Sequence, residues 1–198
     1  MVNPQGLTRD IGPFRENLKC CTHFPFLPNF TIGALLASQH GAVQMQRALS
    51  TGIATPLGVF SPSAAKKEDF GQDPDRLCPL FDSETRGCSI WSHRPGVCSS
   101  YVCKSSKGIE GFGAWAALEE KLNLFEWTLA HEVVWLLGFT QDETVRIATQ
   151  VTGNLKKSGA LEARATWFEH ADHQEQFYRS CFEKALSVTP IEMSFLMG

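Results

Sequence analysis

The sequence predicts a mostly α-helical fold carrying an irregular, cysteine-rich, metal-binding loop region. Three observations point to it. Six of the seven cysteines precede residue 104, and Cys78, Cys88, Cys98 and Cys103 are interspersed with prolines and glycines that allow neither helix nor strand to run far. The segment that follows, from Trp115 to Leu136, repeats apolar residues at steps of three and four, the signature of an amphipathic helix. The 198 residues are enough to bury a core of their own, and no compositional break marks a second domain. A single domain is expected, cysteine-rich over about 18–113 and helical over about 114–198.

Taken in order, residues 1–10 are polar and lack the apolar centre of a secretory signal. Asn29 then precedes a helix-compatible stretch over 30–50 closed by Gly52. Residues 54–76 are rich in Pro, Gly, Ser and Asp, and read as a long loop. The glycines at 108, 111 and 113 read as a turn before the amphipathic helix, whose stripe of Trp115, Leu118, Leu122, Phe125, Leu129, Val133 and Leu136 ends near Gly138. Thr140 with Glu143 forms a capping box for a short helix reaching about Thr152. A long helix is expected over 159–187, with Trp167, Phe168, Phe177, Tyr178 and Phe182 as core and Cys181 as packing. Thr189, Pro190 and Glu192 supply a cap, a first-turn proline and a box glutamate for a last helix.

Composition narrows the function. A net charge of −3, with 18 Lys and Arg spread along the chain, argues against nucleic acid as a partner. No run of about 18 apolar residues would span a bilayer, so no membrane insertion is expected. The cytoplasm is the expected compartment, and a protein or small molecule the expected partner. In a reducing compartment seven thiols stay unpaired, leaving metal binding, catalysis or burial as their uses.

Spacing favours metal. There is no CxxC pair of the kind common in zinc sites. Cys20 and Cys21 are adjacent, nine residues separate Cys78 from Cys88 and Cys88 from Cys98, and four separate Cys98 from Cys103. Such ligands must be wrapped around a site from several loops, which suits a [4Fe-4S] cluster at least as well as zinc, the alternative being a structural zinc-binding interaction module without catalysis. The metal ligands expected are therefore Cys20, Cys21, Cys78, Cys88, Cys98 and Cys103. Arg94, before Pro95 and between two of these cysteines, is placed to donate to an anionic cofactor or to form a surface ion pair. His23 and His93, each near a cysteine, could replace a thiolate. A metal-free cysteine enzyme built on Cys20 or Cys21 with His23 is a third reading.

Other motifs carry less. The run 108–113 at a helix start, with Lys104 and Lys107 upstream, could bind an anion or serve as a turn. His131 and Glu132 lack the second histidine of a zincin, Trp135 standing in its place, and read with Glu126 as a solvated helix face. His170 and His173 read as a polar face of the long helix.

The series Cys20-Cys21, Cys78-Pro79-Leu80-Phe81, Gly87-Cys88-Ser89-Ile90-Trp91 and Arg94-Pro95-Gly96-Val97-Cys98 resembles the zinc- or iron-chelating cysteine-cluster family whose pattern is written CxxCxxCC. The continuation from Cys103-Lys104 through Gly108, Gly111, Trp115 and Leu118 to Glu126 and Leu129-Ala130 is similar to its longer bacterial members, so the resemblance spans about 18–138. The family includes flagellin lysine-N-methylases, and the resemblance implies an iron–sulfur cluster with a redox or cluster-dependent transferase role. The family often carries further cysteines upstream of the pair. Here only Cys20 and Cys21 are present, and Cys103 is expected to complete the set.

Overall fold

The computed structural model describes residues 15, 17–18, 21–38, 41–62, 70–102, 106–153 and 164–196. In chain order these form β1 (Leu27–Pro28), α1 (Asn29–Ala37), α2 (Gly41–Thr51), β2 (Ile53–Thr55), β3 (Gly58–Phe60), β4 (Phe81–Asp82), β5 (Gly87–Cys88), α3 (Gly96–Ser100), α4 (Gly108–Leu136), α5 (Gln141–Gly153), α6 (Gln174–Ser187) and α7 (Pro190–Leu196), with short 3-10 turns at Pro74–Arg76, Trp91–His93 and Phe168–His170. The protein is mostly helical, with two small antiparallel sheets ordered β1-β3-β2 and β4-β5. No described helix is long and apolar enough to cross a membrane.

The chain divides into two compact units, each assembled from two separated segments. Met1–Pro25 with Ala65–Asn123 forms the first, and Phe26–Ala64 with Leu124–Gly198 forms the second.

In the second unit α1 lies against α6, and the sequence of α1 shows why. Asn-Phe-Thr-Ile-Gly-Ala-Leu-Leu-Ala is apolar nearly all round, as a buried helix must be. Gly33 sets the approach, because a β-carbon there would overlap the Tyr178 carbonyl and Phe182. Asn29 opens this helix fully buried. Its amide donates to the carbonyls of Pro56 and Ala130, both at 3.0 Å, while its oxygen accepts from the Phe30 N–H at 2.7 Å. One side chain thereby joins α1, the β2–β3 turn and α4. The core continues through Leu57, Val59, Val133, Val134 and Ile147.

Several expectations are corrected here. The helix expected over 30–50 is two helices, because Ser38 turns extended (φ −94°, ψ 142°) and its hydroxyl accepts from the Gly41 N–H at 2.9 Å, capping α2. The loop expected from residue 54 begins instead as a hairpin with Thr55 paired to Gly58. Gly58, at φ 144°, brings the backbone against the Leu27 carbonyl, and Ile53, Leu57 and Val59 are buried. Residues 63–69 of that expected loop lie outside the described residues. The glycine-rich turn is the first two turns of α4: Gly108 sits at φ 58°, and the Gly111 N–H already donates to the Lys107 carbonyl at 3.5 Å. Glycine costs about 1 kcal/mol against alanine inside a helix, and the 29-residue α4 carries three at its start, Gly108, Gly111 and Gly113.

The helix expected over 159–187 is interrupted. Residues 154–163 lie outside the described residues, and Phe168 takes φ 49° next to Trp167, whose ring N–H donates to the Ala54 carbonyl at 3.0 Å. His170 and His173 are therefore not on one helix face. His170 stacks on Phe139 with ring centres 5.3 Å apart, and His173 precedes α6. Both capping boxes form as read. Thr140 and Glu143 exchange bonds of 2.8 and 3.2 Å, and Thr189 and Glu192 bonds of 2.7 to 3.3 Å.

Candidate metal centre

Four short segments of the first unit deliver cysteines to one cavity, each held by its own local hydrogen bonds. The Cys78 N–H donates to the Cys21 carbonyl at 2.7 Å, locking two segments 57 residues apart in sequence side by side. The Cys78 carbonyl then accepts from the Phe81 N–H at 2.9 Å, a turn that Pro79 favours through its fixed φ. This turn feeds β4, where Phe81 pairs with Cys88 of β5. The β4–β5 connection is closed by Asp82, whose carboxylate accepts from the Glu84 N–H at 2.9 Å and the Thr85 hydroxyl at 2.7 Å. Arg86 completes it at φ 51°. Cys98 lies in the one-turn helix α3, its N–H donating to the Pro95 carbonyl at 2.9 Å.

Cys21, Cys78, Cys88 and Cys98 all line this cavity of about 320 Å³, and all four are thiols rather than disulfides. Each is partly buried. The walls between them are largely apolar, from Phe70, Leu80, Phe81, Ile90 and Val97, with His23, Tyr101 and Glu119 also facing in. Cys20 and Cys103 lie outside the described residues. Among the described residues, no three of the His, Cys, Asp and Glu side chains are drawn together tightly enough to hold a single metal ion.

Arg94 lines the same cavity. Its guanidinium carbon sits 3.4 Å above the Trp91 ring, a stacked cation–π contact. Among the described residues its buried Nε has no hydrogen-bond partner. A buried donor left in that state costs about 1–3 kcal/mol, more when charged, so the site calls for an acceptor. His23 is held below the usual histidine range, chiefly by burial, with Glu119 opposing. It therefore presents a neutral ring. His93 is exposed, beside the Ser92 hydroxyl at 2.9 Å, and does not line the cavity.

The sequence reading thus brings four of its six cysteines and Arg94 to one place. It missed Trp91, Tyr101 and Glu119. The first two stand within three residues of Arg94 or Cys98, so proximity in sequence was the available signal. Glu119 sits on α4, where nothing in the chain connects it to a cysteine. Cys181 is elsewhere: fully buried in α6, its thiol pushed far up by burial, it is packing as expected.

The cavity thus gathers four thiols, largely apolar walls and the cationic side chain of Arg94. Comparison with protein-family models, with curated proteins and with solved structures returns no match for this chain.

Proposed function

We propose that the protein holds an iron–sulfur cluster of the [4Fe-4S] type on Cys21, Cys78, Cys88 and Cys98, with Cys20 and Cys103 as the neighbouring thiols that complete or exchange with this set. The observation that carries the reading is the convergence of four cysteines on one cavity of about 320 Å³. All four belong to the cysteine series on which the sequence-level resemblance rests. Burial alone is a poor account of the four thiols, since none of them is fully buried whereas Cys181 is. The four reach the cavity from separate stretches of chain, with nine residues between Cys78 and Cys88 and nine between Cys88 and Cys98, instead of from the close pairs common in zinc sites. A cluster spreads its thiolates over separate corners, so it suits this arrangement better than zinc.

When bound, a fully ligated cluster supplies one-electron redox chemistry. The chain's own groups set its surroundings. Arg94 donates toward the anionic centre, Trp91 fixes the guanidinium by stacking, and the apolar walls raise the cost of net charge. An electron-transfer role is the function proposed. A transferase role would instead require one iron corner free of thiolate.

Anaerobically purified protein is expected to be brown, with broad absorption near ~400 nm. Colourless protein carrying one zinc per chain would sink the proposal. Added S-adenosylmethionine should leave the electron paramagnetic resonance spectrum of the reduced protein unchanged. A changed spectrum would replace electron transfer with the transferase role.

A further inference from the structure

A cavity larger than the cysteine site lies among the described residues. It is an open groove of about 580 Å³ in the second unit, between α4 and α5. His131 and Glu132, which read in sequence as part of a solvated helix face, line it together with Trp127 and Trp135 from α4, and Thr144 and Val145 are among the lining residues from α5.

The lining has a definite chemical bias. Two indoles face it, and Trp135 is 61% exposed, offering a ring that no core packing consumes. Trp127 is held from behind by edge contacts to Phe26 and Phe60, with ring centres 5.5 and 6.4 Å away. His131 lies 4.4 Å from the Trp127 ring, and its Nδ1 is 2.8 Å from the Trp127 carbonyl. A carbonyl only accepts, so the proton is on Nδ1 and Nε2 is left as an acceptor. Burial holds this ring below the usual histidine range, so it is neutral at pH 7. Glu132 adds a carboxylate, and no lysine or arginine is among the described lining residues. Arg146 on α5 is engaged elsewhere, over the Phe168 ring at 4.6 Å.

We propose that this groove binds an organic ammonium group, a protonated or quaternary amine, against the indole rings of Trp127 and Trp135 that line it, with Glu132 as counter-charge. Indole faces attract cations through their quadrupole, and the carboxylate adds Coulomb attraction that no neighbouring cation in the lining cancels. A purely apolar guest would gain from the indoles but leave Glu132 without a partner. An anion would meet the Glu132 carboxylate with no lysine or arginine among the described lining residues to offset it.

The test is an NMR titration of the full-length chain with choline and, in parallel, with 3,3-dimethylbutan-1-ol, its uncharged isostere, following the indole N–H signals. Choline should shift the Trp127 and Trp135 signals saturably, leave Trp91, Trp115 and Trp167 in place, and bind at least about fivefold tighter than the isostere. Glu132→Gln should abolish that preference, and Trp135→Ala should weaken choline roughly tenfold. The unmoved indole signals check that both variants remain folded. Equal binding of the two ligands, or saturable shifts at other tryptophans only, or no shift at all, would overturn the proposal.

Discussion

Asn29 shows at the residue scale how one side chain can be worth more than its propensity suggests. Asn29→Leu fills the space but leaves the Pro56 and Ala130 carbonyls without their donor, and should cost about 2–4 kcal/mol in urea unfolding. A cost near zero would mean those carbonyls find other partners. At the cysteines, Cys78→Ser, Cys88→Ser and Cys98→Ser should each bring metal content to background, because a hydroxyl does not replace a thiolate donor. Cys181→Ser should retain full metal while losing about 1–3 kcal/mol of stability, since it places a hydroxyl in an apolar core. Metal loss in that variant, or retention in all three of the others, would reverse the ligand assignment. The cysteines were legible in sequence because their spacing among prolines and glycines has no other structural use. Asn29 was not, because its partners lie 27 and 101 residues away.

At the scale of elements, local signals were read well and long-range ones poorly. The two capping boxes and the end of α4 at Gly138 depend on residues within one turn, and they stand as read. The break at Ser38, the β2–β3 hairpin and the interruption before α6 depend on what packs against them, and helix periodicity alone passes through them. The helix stripe likewise overreached. Leu129 and Val133 are core, but Trp115 and Leu118 are 39% and 41% exposed, so the first turns of α4 do not bury their apolar face. Gly33→Ala should destabilise by about 1–3 kcal/mol in spite of alanine's better helix propensity, because the added methyl meets the Tyr178 carbonyl. Stabilisation in thermal unfolding would show that α1 and α6 can move apart without penalty. The boxes also carry a pH signature. Glu143 and Glu192 are held below the ordinary carboxylate range, chiefly by the backbone N–H groups of Thr140 and Thr189. Their contribution is therefore present above the unfolded carboxylate value and lost as pH falls through the lower folded value. Glu143→Gln should flatten part of the acid limb of thermal stability, and an unchanged limb would show that the box does not contribute there.

For the molecule as a whole, the two units draw on different sources of order. The second buries Leu27, Ile32, Leu35, Leu57, Val59, Val133, Ile147, Trp167 and Tyr178, a core sufficient without metal. The first holds Cys88 on the two-residue β5 and Cys98 on the one-turn α3, with Cys21 and Cys78 outside any helix or strand, and under the proposed function their fixation is expected to rest largely on bonds to the cluster. Chelation or oxidative loss of the cluster should open 70–102 to protease while most helical circular dichroism persists. Joint loss of both would contradict this division. The interleaving of segments that makes the units was not legible, since neither composition nor periodicity records that 26–64 join 124–198. The central claim is that converging thiolates hold a four-iron cluster, and its most direct test is iron and acid-labile sulfide quantified per chain in protein isolated without oxygen. The account predicts about four of each, falling together in Cys88→Ser. Iron without sulfide, zinc in place of both, or full iron and sulfide in the variant would contradict it.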